Sequence, residues 1–128
     1  MVCLSMVGIA NAQTEGKPVN FTVSYSFKGI VDGYDHICKT EVYIDGTLVG
    51  TTSEKKESEG NSLTVTTSKG KHTVKVINYA YYEGVWEAHT IENNYSQDCR
   101  YEDEMNLTKK KNKLVLLFDI DNGTKRVK

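Results

Sequence analysis

The strongest constraint on how this chain can fold is alternation. From Val19 to Lys28 the residues change character at every step: Val19, Phe21, Val23, Tyr25 and Phe27 fall on one side, Asn20, Thr22, Ser24, Ser26 and Lys28 on the other. Successive side chains of an extended strand point to opposite faces, so this pattern predicts a strand with one buried and one wet face. The same period returns at Cys38, Thr40, Val42 and Ile44, at Leu63, Val65 and Thr67, at His72, Val74 and Val76, and at Tyr101, Asp103, Met105 and Leu107. Val85 to Ile91 is rich in strand formers, and Leu114 to Ile120 is apolar on both faces, as a strand inside a sheet should be. No stretch carries a helical period.

Turn signals separate these runs. Asp45-Gly46 is the strongest hairpin signal, joining Ile44 to Thr47 through a tight turn with positive backbone dihedrals, and Asp32-Gly33, Ser68-Lys69-Gly70 and Glu83-Gly84 break the pattern elsewhere. Ser53 to Asn61, SEKKESEGN, carries no large apolar residue and is expected to be an exposed loop; Lys109 to Lys113 reads as a solvated turn. The expectation is an all-β, two-sheet antiparallel β-sandwich, immunoglobulin-like, with seven to eight strands; a small closed barrel is the competing architecture.

Charge narrows the function classes. Seventeen acidic residues against 16 basic ones leave a formal net charge of -1, whereas nucleic-acid and polybasic membrane-surface proteins normally carry a strong basic excess. No apolar run reaches the length needed to span a bilayer.

Residues 1–12 are uncharged and mostly apolar and end on Ala10-Asn11-Ala12, the small-x-small pattern of a signal-peptidase site, although no basic residue precedes the apolar run. The reading is a truncated or incomplete signal peptide over 1–12 and a single β-sandwich domain over 13–128, secreted or periplasmic; a short buried N-terminal strand is the alternative. Removing this segment removes Cys3 and leaves Cys38 and Cys99, which in an oxidising compartment are candidates for one disulfide, the alternative being two unpaired thiols.

The run Val42 to Thr52, VYIDGTLVGTT, followed by Leu63 to Val76, LTVTTSKGKHTVKV, resembles the PEGA-type surface-layer module in its hairpin-and-turn grammar over about residues 42–82. The family's name motif is absent, because no proline follows Thr51-Thr52 and a charged insertion replaces the short connection. The resemblance implies a noncatalytic extracytoplasmic binding or spacer module of the cell envelope, whose partner would be an envelope protein or a glycan.

No nucleophile or phosphate-loop motif occurs, no cofactor is implied, and His36, His72 and His89 lack the spacing of metal ligands on one element. Glu102 and Glu104 share one side of their strand, a wet surface unless another acid faces them across a cleft. Asp119 to Gly123 resembles the start of a calcium loop, but its glycine falls one position early, so a turn is expected. Four glycosylation sequons, at Asn20, Asn94, Asn106 and Asn122, have meaning only in a eukaryotic secretory pathway.

The candidate binding residues are aromatic: Tyr79, Tyr81, Tyr82 and the only tryptophan, Trp86. If Glu83-Gly84 closes a hairpin, Tyr81 and Trp86 pair across it. Such rings stack on sugars or anchor protein partners, and they also fill cores. The functional expectation is a noncatalytic binding module; the alternatives are a carbohydrate-binding module using this Tyr/Trp patch and a small inhibitor of a secreted hydrolase. The chain is expected to be a monomer or a strand-exchanged dimer.

Overall fold

The computed structural model describes residues 17–30, 33, 35–95 and 98–127; the leader expected over 1–12 lies outside them. The described residues form ten strands: β1 (Pro18–Lys28), β2 (Ile37–Ile44), β3 (Thr47–Thr51), β4 (Lys55–Lys56), β5 (Asn61–Ser68), β6 (Gly70–Tyr82), β7 (Val85–Ala88), β8 (Arg100–Leu107), β9 (Lys111–Asp119) and β10 (Gly123–Arg126). Single 3-10 turns occupy Glu57–Glu59 and Ile91–Asn93. The strand count exceeds the expectation because β4 and β10 are too short to show a period in the sequence.

Two sheets result. One has the order β10-β9-β1-β5; the other runs β3-β2-β6-β7, with β4 also on β2 and β8 also on β6. β6 is 13 residues long, enough for β8 to pair along Gly70 to Ile77 and β7 along Tyr79 to Tyr82 of the same edge. Every pairing is antiparallel except β9 with β1, which is parallel from Lys111 opposite Asn20 to Asp119 opposite Lys28.

The alternating rows face each other across the core. Val19, Phe21, Val23 and Tyr25 of β1 and Leu114, Leu116 and Phe118 of β9 meet Val42 and Ile44 of β2, Val74 and Val76 of β6, and Met105 and Leu107 of β8. The two-sided strand β9 does lie inside its sheet, between β10 and β1. Asp45 (φ 52°) and Gly46 (φ 84°) form the anticipated β2–β3 hairpin, and Glu83 (φ 49°) and Gly84 (φ 85°) turn β6 into β7. Asp119 closes the β9–β10 turn by accepting from the backbone N–H groups of Asp121 and Asn122 and from Asn122 Nδ2.

Two expectations need correction. Residues 53–61 are not a wholly exposed loop: they carry β4 and a 3-10 turn, and the Glu57 side chain is only 1% exposed. The expected Cys38–Cys99 bridge is absent, and both thiols are free and buried. Register gives the reason. Cys38 lies opposite Ala80 on one side of β6, while Asn78 N donates to Cys99 O on the other side. The two cysteines are thus two strand spacings apart, roughly 9.6 Å before the offset along the strand, and a disulfide needs its Cα atoms within about 7 Å.

Candidate functional site

The outer face of the six-stranded sheet carries the aromatic candidates, and register decides which of them act together. Inward positions of β6 are His72, Val74, Val76, Asn78 and Ala80, so Tyr79 and Tyr81 point outward. Trp86 lies directly opposite Tyr81, and the two rings meet with centroids 5.1 Å apart at 59°. Lys39 lies opposite Tyr79, and its Nζ sits 4.2 Å from the centroid of the Trp86 ring. Because Cys38 lies opposite Ala80, the preceding outward residue, Ile37, comes beside Tyr81. A row of Ile37, Tyr81 and Trp86 therefore adjoins a row of Lys39, Tyr79 and Ala88.

Tyr82 does not belong to this surface. It alternates to the opposite side of β6 and meets the His36 ring edge-on at 5.8 Å. The four aromatic candidates thus divide into three that share a face and one at the hairpin tip, beside Val85, which is 56% exposed. Ile37 and Lys39 were legible as outward residues of β2, but only pairing across the sheet places them against the rings.

Charges continue the face. Tyr43 Oη donates to Glu41 Oε1 at 2.7 Å while Lys75 Nζ lies 4.7 Å over the Tyr43 ring. The bond to Glu41 pushes the Tyr43 phenol up to about 12; Tyr79 is also raised, by burial and by Glu41. These phenols stay neutral and offer O–H donors. Glu102 lies across from Lys75 and pairs with Arg100 at 3.6 Å, while Glu104 sits opposite Thr73 on the same side. The shared side of the two glutamates is the exposed sheet face.

A second cluster is enclosed. Glu57 Oε2 lies 3.2 Å from His89 Nδ1, and Glu57 Oε1 lies 3.8 Å from His36 Nδ1 and accepts from His36 N at 3.3 Å. Beside it Thr52 Oγ1 accepts from Thr40 N at 2.9 Å, and Asn78 Nδ2 donates to Thr40 Oγ1 at 3.0 Å. Sequence spacing gave no sign that His36 and His89 converge, because the acid that gathers them sits in the segment read as solvent-exposed. His72 is elsewhere: its Nδ1 contacts Asp45 Oδ2 at 2.6 Å and its Nε2 lies 2.7 Å from the Ser68 carbonyl oxygen. Burial pushes the Cys38 thiol up to about 11 and raises Cys99 as well, so both are protonated and poor nucleophiles at neutral pH. Among the described residues no group of three or more His, Cys, Asp or Glu side chains has the arrangement of a metal site. Chemically the cluster is a polar plug that fastens the 55–60 segment to the end of the sandwich.

No protein-family model, no curated protein and no solved structure matches the chain.

Proposed function

We propose that this protein is a noncatalytic extracytoplasmic binding module of the cell envelope, and that it engages a protein partner through the outer face of the six-stranded sheet. The observation that carries this reading is the Tyr81–Trp86 pair, set between the alkyl chain of Ile37 and the ammonium of Lys39 on an exposed sheet surface. Tyr and Trp carry much of the energy of protein interfaces, with near-neutral polar contacts around them. The signal-peptide-like start and the PEGA-like hairpin grammar support the location and the absence of catalysis.

The alternative is a glycan stacked on the same rings, favoured by Tyr81 being 43% exposed. Against it, Lys39 already covers one face of Trp86, so a sugar ring must displace a cation to stack there. Trp86 fluorescence separates the two readings. Titration with a panel of oligosaccharides is expected to leave the emission unchanged. A saturable change with any of them, lost in Tyr81→Ala, transfers the site to the glycan reading.

A further inference from the structure

The formal net charge of -1 hides an uneven distribution. Register brings the start of β1, the end of β5, the start of β6, the end of β8 and the start of β9 to one end of the sandwich: Pro18 lies opposite Ser68, Gly70 opposite Leu107, and Lys111 opposite Asn20. Lys17, Lys69, Lys109 and Lys110 stand in the connections at that end, where Lys69 N donates to Lys17 O and Asn20 N to Lys110 O. Alternation carries Lys111 and Lys113 onto the outer face of the four-stranded sheet and Lys71 onto the outer face of the six-stranded one. All seven lysines are exposed, so they ring the end from both sides.

Little at this end answers that charge. Among the described residues, none of the seven has a carboxylate within ion-pair distance. The nearest acids in register are Asp45, whose carboxylate is taken up by His72 Nδ1 and Thr73 N, and Glu104, opposite Thr73. The other end is mixed: Asp35, Glu59, Glu83 and Asp121 stand there with Lys28, Lys55 and Lys56. Asn112 fastens the lysine turn to the start of β1: its Nδ2 donates to Lys109 O at 2.7 Å and to Asn20 O at 3.2 Å, and its Oδ1 accepts from Lys109 N at 3.2 Å. The charges of that turn therefore project from a fixed backbone.

We infer that this end seats the protein end-on against an anionic lipid bilayer, with the strands standing away from the membrane. Two observations choose a bilayer over another polyanion. Neither sequence nor register places a tyrosine or tryptophan among these lysines, and single-stranded nucleic-acid sites stack bases on such rings. The second is the run of residues 1–12, uncharged and mostly apolar, which joins the described chain at Lys17. The backbone from Ala12 to Lys17 spans at most about 18 Å, so an apolar stretch is tethered beside the lysines. An apolar segment with a polybasic patch is the two-signal combination that holds a protein on an anionic membrane, and each lysine near the surface adds to the attraction. The lysines supply the charge-dependent part whether or not residues 1–12 remain. Tyr81 lies eleven residues along β6 from Gly70, so end-on seating holds the aromatic pair roughly 36 Å from the bilayer.

Co-sedimentation of the full chain with vesicles tests this, using phosphatidylcholine alone and an equal mixture with phosphatidylglycerol. Phosphatidylcholine alone reads the contribution of residues 1–12. The mixed vesicles are expected to bind at least about ten-fold more tightly, and their binding should weaken as salt rises. Lys110→Glu/Lys111→Glu is expected to lose about ten-fold or more on the mixed vesicles. Both side chains are exposed, so the reversal leaves the fold intact, which circular dichroism checks. Lys55→Glu/Lys56→Glu, a matched reversal on β4 at the other end, should bind as the parent does. Brominated acyl chains should leave Trp86 emission unchanged, because Trp86 lies opposite Tyr81 at the end of β6 far from the lysines. The vesicles carry no protein, so the outcome is independent of the protein-partner reading. Absence of vesicle binding, with or without binding of dextran sulfate, overturns the inference. So does equal binding of the two vesicle types, indifference to the Lys110/Lys111 reversal, or quenching of Trp86 by the brominated chains.

Discussion

Glu57 shows best how one residue departs from what its neighbours suggest. It sits in a run of lysines, serines and glutamates, yet its carboxylate is enclosed against His89 and His36. Removing one side chain from an enclosed polar cluster leaves its buried neighbours without a partner, which typically costs about 1–3 kcal/mol. Glu57→Ala is therefore expected to lower stability by about that much in chemical unfolding, whereas its exposed neighbour Glu59→Ala, which loses one bond to Lys56 N, should cost under about 1 kcal/mol. The thiols give a second residue-scale prediction. In a Cys3→Ser protein, a thiol reagent at neutral pH should label neither Cys38 nor Cys99 until denaturant is added, and then both. Two thiols still blocked in denaturant without reductant would mean a disulfide and would contradict the register. Neither residue's situation was legible in the sequence: the two cysteines were visible as a pair, but their places on opposite sides of β6 depend on which strands flank it.

At the scale of elements, sequence and structure agree where a segment's period is set by burial of one face. β1, β2 and β6 bury the rows that alternation marks, and the Asp45-Gly46 turn forms where only residues tolerant of positive φ occur in sequence. β4 escapes because two residues carry no period, and the parallel β9–β1 pair escapes because a strand's own pattern does not name its neighbour. The aromatic patch was half legible for the same reason. Tyr81 and Trp86 were predictable across their own hairpin, while Ile37 and Lys39 arrive from β2 through pairing at long range. Glycines test the connections. Gly46 and Gly60 both have positive φ, but only at Gly60 would a Cβ meet a backbone oxygen, Tyr25 O at 2.9 Å. Gly46→Ala should cost about 1–2 kcal/mol by backbone strain alone, and Gly60→Ala measurably more in the same urea titration.

Across the whole molecule, three aspartates join turns and loops to strands, and all three have carboxyls held below the usual range. Ser58 N–H and O–H donate to Asp35; burial opposes ionisation of Asp45, but His72 and Thr73 N outweigh it; Asn122 with the Asp121 and Asn122 N–H groups holds Asp119. A lowered carboxyl stabilises the fold above its unfolded value, near 3.8, and that contribution disappears as pH falls through the lower folded value. The melting temperature should therefore hold as pH drops toward 4 on account of these groups and fall steeply below it. Asp45→Asn and Asp119→Asn should each flatten the decline.

Molecular polarity has a functional side as well. One end is lysine-rich and one sheet face is aromatic, so a near-neutral chain presents two chemically distinct surfaces. The claim that the aromatic face is the working surface is tested most directly by photo-crosslinking in cells that produce the protein, with a benzophenone amino acid placed at Tyr81 or, on the outer face of the opposite sheet, at Thr64. A discrete protein adduct from position 81, absent from position 64 and abolished by Trp86→Ala, is the predicted result. Adducts of equal yield from both positions, or none from position 81, would contradict it.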